Sequence, residues 1–268
     1  MKMLRIHQIR CPIDQKLNSE HIAKKLHCTP DDIRSFEIEK ESLDARGDDL
    51  HYSYTVLADV RNPHRYLKQK DVSEGKKEVY QLPPSIDHCE ERPVVVGFGP
   101  AGMYAALILA ECGLKPIVIE RGKPVEERAK DISEFFQNGI LQTESNVQFG
   151  EGGAGTFSDG KLTTRMKNIR VSKVMQEFIE AGADPAIAYE HRPHLGTDVL
   201  RGIVKNIRKK VLSLGGEIQF ETKMLSILCQ NGKVTGVQTD HGEIPCSSIL
   251  LCAGHSASDT YLYCMIRA

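Results

Sequence analysis

The sequence has no hydrophobic run that approaches the roughly 20 apolar residues of a membrane-spanning helix. Residues 1–5 also lead into no long apolar region of the kind that a secretory signal contains. We therefore expect a cytoplasmic protein that has no membrane partner.

An excess of either sign of charge is missing too, since 35 Lys and Arg stand against 36 Asp and Glu. A protein that binds nucleic acid over a broad surface usually carries a basic excess that neutralises phosphates. The balance of charges therefore argues against a nucleic-acid partner.

Cysteine pairs are a further absence, because no two of the 8 cysteines form a C-x-x-C motif. Spacing of this kind is typical of small buried side chains in a reducing, cytosolic setting, not of a redox-active pair. The single cysteines are Cys11, Cys28, Cys89, Cys112, Cys229, Cys246, Cys252 and Cys264.

A glycine turn between two apolar segments is the most informative pattern that is present. Three valines at 94–96 precede Gly97, Gly99 and Gly102 in G-x-G-x-x-G spacing, and Glu120 follows the next apolar segment. In a strand–turn–helix–strand unit these glycines permit the tight turn, the approach of backbone to a pyrophosphate and the close packing of the helix. Glu120 would accept hydrogen bonds from ribose hydroxyls and repel a 2′-phosphate, which disfavours NADP. The alternative is a buried βα unit whose glycines serve only the turn.

A second glycine-rich segment covers residues 150–162 and nearly spells a phosphate-binding P-loop. Leu162 stands where a P-loop has the Ser or Thr that holds magnesium, and no apolar strand precedes the segment, so we reject that interpretation. We interpret it as backbone wrapped around a cofactor, with N–H groups toward a pyrophosphate or a ring and Ser158 or Lys161 near the ring. The entropic cost of so much glycine favours a functional role over the alternative of a plain surface loop.

Two histidines, His191 and His194, flank a proline at 193 that prevents a helix. Because no third ligand is evident and the spacing is not held by a helix, we expect no metal site. His194 is a weak candidate for a proton donor, and a solvated or hydrogen-bonded loop histidine is the alternative.

The apolar segment 248–252 predicts a buried strand that ends at Ala253 and Gly254. Both residues would lie against a cofactor by close backbone approach. His255 follows, and a helix that begins at Ser256 would place this turn beside its positive end. His255 is therefore another weak candidate for a role in catalysis.

The pattern along the chain predicts a small α+β domain and a linker at residues 1–90, followed by a nucleotide-binding domain at 91–268 with a helical insertion at about 163–215. The predicted N-terminal strands are 3–9, 35–40 and 51–60, with a polar turn at Gly47 and a charged loop at 71–77. Alternating segments joined by Asn-Gly and His-Gly turns predict a β-meander at 224–228, 234–239 and 243–245.

Four segments, taken with the meander, resemble an uncharacterised family of FAD-dependent dehydrogenases in the two-dinucleotide-binding flavoprotein group. These segments are residues 97–102 with Glu120 and Arg121, residues 150–162, residues 191–198 and residues 250–256. The resemblance covers almost the whole chain.

The resemblance implies an α/β fold, in which a Rossmann-type FAD-binding domain with a β-meander and a helical insertion follows the N-terminal α+β domain. It also implies FAD as the cofactor, with the backbone around Met224 near the adenine, and it leaves Lys161, His194 and His255 as weak catalytic candidates. The implied cofactor-binding residues are Gly97, Gly99, Pro100, Ala101, Gly102, Glu120, Arg121, Gly152, Gly153, Ser158, Gly160, Lys161, Met224, Ala253 and Gly254.

The implied function is that of an FAD-dependent oxidoreductase, which passes a hydride or electrons through the flavin. Its partner would be a small molecule or an electron donor or acceptor, with NAD(P)H as one candidate. Family members are longer, and Ser258 stands where they have a basic residue, so we expect a C-terminally truncated member. The alternatives are a truncated, non-catalytic nucleotide-binding remnant, an NAD-dependent dehydrogenase, and a nucleotide-sensing module whose N-terminal domain docks protein or RNA.

Overall fold

A computed structural model describes residues 2–46, 50–86, 91–164, 166 and 168–267, and it describes no side chain for residues 266 and 267. The predicted turn at Gly47 and the thiol of Cys89 lie outside these residues. The chain forms two compact units. The first comprises Met1–Tyr80, Leu162–Gln176 and Asp184–Pro193, and the second comprises Gln81–Lys161, Glu177–Ala183 and His194–Ala268. The predicted domain boundary near residue 90 and the predicted limits of the insertion stay predictions.

The first unit contains a four-stranded antiparallel sheet in the order β2-β3-β1-β4. One helix packs on the sheet, and the Asn18 side chain caps its start by accepting the N–H groups of Glu20 and His21. The elements are β1 (Met3–Pro12), α1 (Ser19–Leu26), β2 (Ile33–Asp44), β3 (His51–Val60) and β4 (Val72–Gly75).

Strand β1 contains a bulge that an alternating pattern does not reveal. Leu4 and Ile6 are buried, and so are Ile9 and Cys11, so the spacing of inward side chains changes from two residues to three between Ile6 and Ile9. The pairing with β3 shifts at this point, and Gln8 takes a φ of 56°. The bulge keeps all four apolar side chains in the core that α1 covers.

Strand β4 corrects the predicted charged loop at 71–77. Residues 72–75 pair antiparallel with β1 at the edge of the sheet, and Glu74 forms an ion pair with Lys2. An edge strand pairs on one side only and tolerates charged side chains, so it lacks the apolar alternation on which the sequence prediction depended.

The second unit contains a parallel sheet in the order β11-β5-β6-β7 and a separate three-stranded meander in the order β10-β9-β8. This is a Rossmann-type arrangement with a meander, as the sequence predicts. The strands are β5 (Val94–Val96), β6 (Ile117–Ile119), β7 (Glu217–Gln219), β8 (Met224–Gln230), β9 (Lys233–Thr239), β10 (Gly242–Pro245) and β11 (Ile249–Leu251). The helices are α2 (Pro100–Glu111), α3 (Val125–Asn138), α4 (Ile169–Glu180), which continues from the first unit, α5 (Thr197–Ser213) and α6 (Ser258–Arg267).

The meander packs on the parallel sheet through a shared apolar cluster. Val94 and Val96 of β5 and Ile119 of β6 lie in one buried cluster with Met224 of β8 and Val237 of β9. All-apolar strands such as β5 are expected where both faces of a parallel sheet are covered. This contact places Met224, at the start of the meander, near the ends of β5 and β6.

A substitution at Gly102 in α2 tests how closely this helix packs against the turn after β5. A Cβ at Gly102 would overlap the carbonyl oxygen of Gly97, so we expect Gly102→Ala to lower the free energy of unfolding by about 1–3 kcal/mol. Gly202 in α5 is the matched control, because a Cβ there meets nothing within 4 Å. Gly202→Ala should raise the free energy of unfolding by up to about 1 kcal/mol through helix propensity. Urea unfolding followed by circular dichroism measures both, and equal effects would contradict the packing argument.

Candidate functional site

The turn between β5 and α2 leaves no room for a side chain at Gly97. Gly97 has a φ of 94°, and a Cβ there would lie 2.5 Å from the carbonyl oxygen of Cys252. Gly99 precedes the first residue of α2, and a Cβ on it would lie 3.7 Å from the Cα of Gly153. The first N–H groups of α2 have no partners within the helix, so they and the helix dipole favour an anion at this turn.

Glu120 binds three backbone N–H groups from three segments of the chain. Its carboxylate is buried and accepts from Phe98 at 2.6 Å, Gly122 at 2.9 Å and Gly150 at 3.0 Å. A carboxylate has about four acceptor sites, so one remains for a ligand hydroxyl. The side chain therefore holds the glycine turn and the loop at Gly150 together, and the predicted bond to a ribose stays a prediction.

Arg121 belongs to a ring of four charges that also contains Glu144, Lys223 and Asp259. Arg121 contacts Glu144 and Asp259, each at 2.6 Å, and Lys223 contacts the same two carboxylates at 3.0 and 2.8 Å. The bonds from Arg121 and then Lys223 hold the pKa of Asp259 well below its usual range, although burial opposes them. The guanidinium of Arg121 also lies 4.4 Å from the centre of the Phe149 ring. Because Arg121 and Lys223 are both paired with carboxylates, this ring has no unpaired cation that would bind an anion.

A cavity of about 590 Å³ lies at the carboxyl ends of β5, β6 and β11. Its size falls within the range of small-molecule sites. The predicted residues that line it are Gly97, Gly99, Pro100, Ala101, Glu120, Arg121, Gly153, Met224, Ala253, Gly254 and His255. The predicted residues outside its lining are Gly102, Gly152, Ser158, Gly160, Lys161 and His194.

The later part of the glycine-rich segment forms its own contacts. The ammonium of Lys161 lies 2.7 Å from a carboxylate oxygen of Asp159, and both side chains are largely exposed. Lys161 also forms an isolated β-bridge with His194. The Ser158 hydroxyl donates to the carbonyl of Gly155 at 2.8 Å. The roles of these residues toward a cofactor stay predictions.

The turn after β11 closes one side of the cavity. The Ser256 hydroxyl donates to the Gln148 side chain at 2.8 Å, so a bond connects this turn with the loop before Gly150. Helix α6 begins at Ser258, two residues after the predicted start, and its Asp259 joins the charge ring. His255 lines the cavity beside these contacts.

Several residues that line the cavity are not among the predicted site residues. Thr222 and Lys223 directly precede Met224, so they could have been found from the start of the meander. Ala154 lies within the glycine-rich segment 150–162, whereas Gln148 and Phe149 reach the cavity only because the chain after α3 folds back on the glycine turn. No local sequence pattern predicts that the chain folds back in this way.

Glu151 is fully buried behind this loop. One carboxylate oxygen accepts the Val125 N–H at 2.7 Å and lies 3.0 Å from the Arg208 guanidinium. The other oxygen has no hydrogen-bond partner among the described residues. Burial raises the pKa of Glu151 to about 7, against the opposing effects of the Val125 N–H and Arg208.

Three further observations concern the described residues as a whole. No helix among them is long and apolar enough to cross a membrane. In the same part of the chain, no three His, Cys, Asp or Glu side chains gather into a group that could hold a metal ion. The seven cysteines that the structure describes are free thiols.

Comparisons by sequence match a family model and an uncharacterized relative. A family model described as a domain of unknown function (DUF8436) matches residues 3–59, within the first unit. A protein of Clostridium beijerinckii, described as uncharacterized, is 44% identical over 265 residues, which are 96% of this chain and 50% of that protein. The chain therefore spans about half the length of this relative.

Comparisons by structure give partial likenesses. THI4 of Thermovibrio ammonificans has a TM-score of 0.43 and 16% identity over 66% of this chain and 62% of that chain. L-proline dehydrogenase of P. horikoshii has a TM-score of 0.37 and 13% identity over 69% and 57%. Glycine oxidase of Bacillus cereus has a TM-score of 0.33 and 14% identity over 60% and 56%. At these TM-scores and identities, the comparisons assign neither a ligand nor a reaction to this chain.

Glu151 generates a prediction about pH. Its pKa is about 7 in the folded protein and about 4.5 when unfolded, so the folded state binds more protons between these values. Stability should therefore fall as the pH rises from 5 to 8, by on the order of 1–3 kcal/mol from this group. In Glu151→Gln this part of the pH dependence should vanish, which urea midpoints at four pH values would measure.

Glu126 provides the control for this prediction, because it also binds Arg208. Burial raises its pKa, but the bonds from Lys205 and Arg208 outweigh burial and lower the pKa to about 2. Glu126→Gln should therefore leave the slope between pH 5 and 8 unchanged. An unchanged slope in Glu151→Gln would refute the assignment.

Proposed function

We propose that the second unit binds FAD, with its ADP half in the cavity at the ends of β5, β6 and β11, and that the whole protein is an FAD-dependent oxidoreductase. The supporting observation is the place of the cavity. From β5 the chain continues to β6 on one side, and β11 pairs on the other side, so β5 marks a switch point of a parallel sheet. Ligands of open α/β sheets bind at such points.

The residues present fit the ADP half of a dinucleotide. Gly99 and Gly153 lie close together in the lining of the cavity, and the first N–H groups of α2 follow directly after Gly99. The remaining acceptor site of Glu120 suits a ribose hydroxyl. Met224 and the paired Arg121 and Lys223 form an apolar and charge-balanced wall suited to an adenine.

When bound, FAD would supply hydride and electron transfer, while the protein supplies orientation and electrostatics. In this proposal Ala253 and Gly254 give the cofactor a close backbone approach. His255, on the cavity wall, is the catalytic candidate that the cavity favours, and Lys161 and His194 remain candidates outside its lining. The substrate class is a small molecule or an electron donor or acceptor, with NAD(P)H as one candidate.

The first experiment is to express residues 1–268, purify the protein without added cofactor and record its visible spectrum. We expect flavin absorption and release of FAD on denaturation, because the residues that would hold the ADP half all lie within the second unit. Release of NAD instead would favour the NAD-dependent dehydrogenase. A folded, colourless protein that does not bind added FAD would favour the non-catalytic alternative and overturn the proposal.

Gly99 tests the site itself. In Gly99→Ala the new Cβ makes only ordinary contact with Gly153, so the fold should persist, but the methyl group occupies the space next to the pyrophosphate. We expect FAD affinity to fall by about tenfold or more, which corresponds to about 1.4 kcal/mol. The control is Gly155→Ala, where a Cβ meets nothing within 4 Å and which lies outside the cavity lining. Equal affinities of the two variants in a flavin-fluorescence titration would contradict the assigned position.

A further inference from the structure

Arg128 is a fully buried arginine that binds one loop of backbone. Although it lies on α3, its side chain is 0% exposed. Its guanidinium donates to the carbonyl oxygens of Asn146, Val147, Gly150, Glu151 and Gly153, at distances from 2.6 to 3.3 Å. A Cβ on Gly150 would collide with the Arg128 side chain, so the loop closes on it without a gap.

The charge of Arg128 is held by peptide dipoles. Among the described residues, no carboxylate lies within ion-pair distance of its guanidinium, although the charges of Glu120 and Glu151 favour its protonated form from farther away. The Phe157 ring lies 4.8 Å from the guanidinium. Burial lowers the pKa of Arg128 to about 10, so the side chain stays protonated at pH 7. A buried cation is costly unless it is hydrogen-bonded, and here the carbonyls of residues 146–153 supply the compensation.

The orientation of one peptide follows from these bonds. The chain has no cis peptide among the described residues, so each N–H points away from the carbonyl of the same peptide. The Gly153 carbonyl points at Arg128, at 2.9 Å. The Ala154 N–H therefore points the opposite way.

Ala154 differs from the residues before it in having a free N–H. The N–H groups of Gly150, Glu151 and Gly152 are bound to Glu120, to the Lys123 carbonyl and to the Phe98 carbonyl. Within the described residues nothing accepts the Ala154 N–H, and both Gly153 and Ala154 line the cavity, with Gly153 next to Gly99.

We propose that Arg128 is a positioning residue that turns the peptide between Gly153 and Ala154 so that the Ala154 N–H donates to the diphosphate of a bound dinucleotide. The guanidinium polarises this peptide from behind, because a hydrogen bond at the carbonyl strengthens the donor at the other end. The inference rests on the proposed function, since it needs a diphosphate at the glycine turn.

The sharpest variant is Ala154→Pro, which removes a single N–H. Ala154 is the first residue of a short 3₁₀ turn, a position where proline is tolerated, and Gly153 before it has an extended ψ of −170°. Arg128 is untouched by this change. We expect the affinity for ADP, measured by calorimetry, to fall by roughly 10–100-fold, the range of a lost charge-assisted hydrogen bond. Gly155→Ala is the control, because it keeps the Ala154 N–H, lies outside the cavity lining and should bind ADP as the wild type does.

Arg128→Lys tests the positioning role directly. It keeps a positive charge but loses the planar fork that reaches the loop carbonyls. We expect weaker binding of ADP with little change for adenosine, which has no phosphate. In the Ala154→Pro background, Arg128→Lys should change ADP affinity by less than about twofold, because the two residues act through one hydrogen bond. If Arg128→Lys does not fold, as urea unfolding would reveal, the ADP affinity of Ala154→Pro alone tests the inference.

The outcomes separate the two proposals. If the wild type binds neither ADP nor FAD, the proposed function fails and the inference falls with it. If the wild type binds both and Ala154→Pro binds ADP equally well, the inference is overturned and the proposed function stands. Equal losses of ADP and adenosine in Arg128→Lys would point to a structural role and also overturn it. In ¹⁵N-alanine spectra the Ala154 amide, identified by its loss in Ala154→Ser, should shift on addition of ADP.

Discussion

The buried carboxylate of Glu120 is the constraint on which the rest of the site depends. By accepting the N–H groups of Phe98, Gly122 and Gly150, it joins the glycine turn, the end of β6 and the loop after α3. Each of these N–H groups would otherwise be buried without a partner, at a cost of about 1–3 kcal/mol. The same side chain therefore closes the fold locally and leaves an acceptor at the cavity wall.

Buried charged side chains bind both the N–H groups and the carbonyls of the loop at residues 146–153. Glu120 binds its N–H groups, Arg128 binds its carbonyls, and Glu151 within the loop binds the start of α3 and Arg208. Because peptide groups satisfy both an anion and a cation here, the backbone of residues 146–153 has little freedom despite its glycines. In such a loop, glycine serves close approach more than mobility, as the contact between Gly150 and Arg128 illustrates.

The cavity wall near Met224 is organised by charge balance among side chains at its surface. Arg121, Glu144, Lys223 and Asp259 neutralise one another in a ring, so this side of the cavity has little net charge. Attraction for an anion is then concentrated at the N-terminus of α2, where the N–H groups are unpaired. The cavity thus separates a region suited to phosphate from a region suited to a neutral ring.

The sequence by itself determined the strand–turn–helix unit at residues 97–102, the meander and the strand before Ala253, because each depends on local spacing and on turn chemistry. It also placed Gly99, Glu120 and Met224, which line the cavity, within recognisable motifs. Only the tertiary structure decided the burial of Arg128, since in an amphipathic helix an arginine ordinarily faces water. Its partners are carbonyls 18 to 25 residues away, which come within reach only when the loop folds back over α3. For the same reason the bulge in β1, the edge strand β4 and the ring around Arg121 had no sequence signal, because each is defined by groups that meet across the fold and not along the chain.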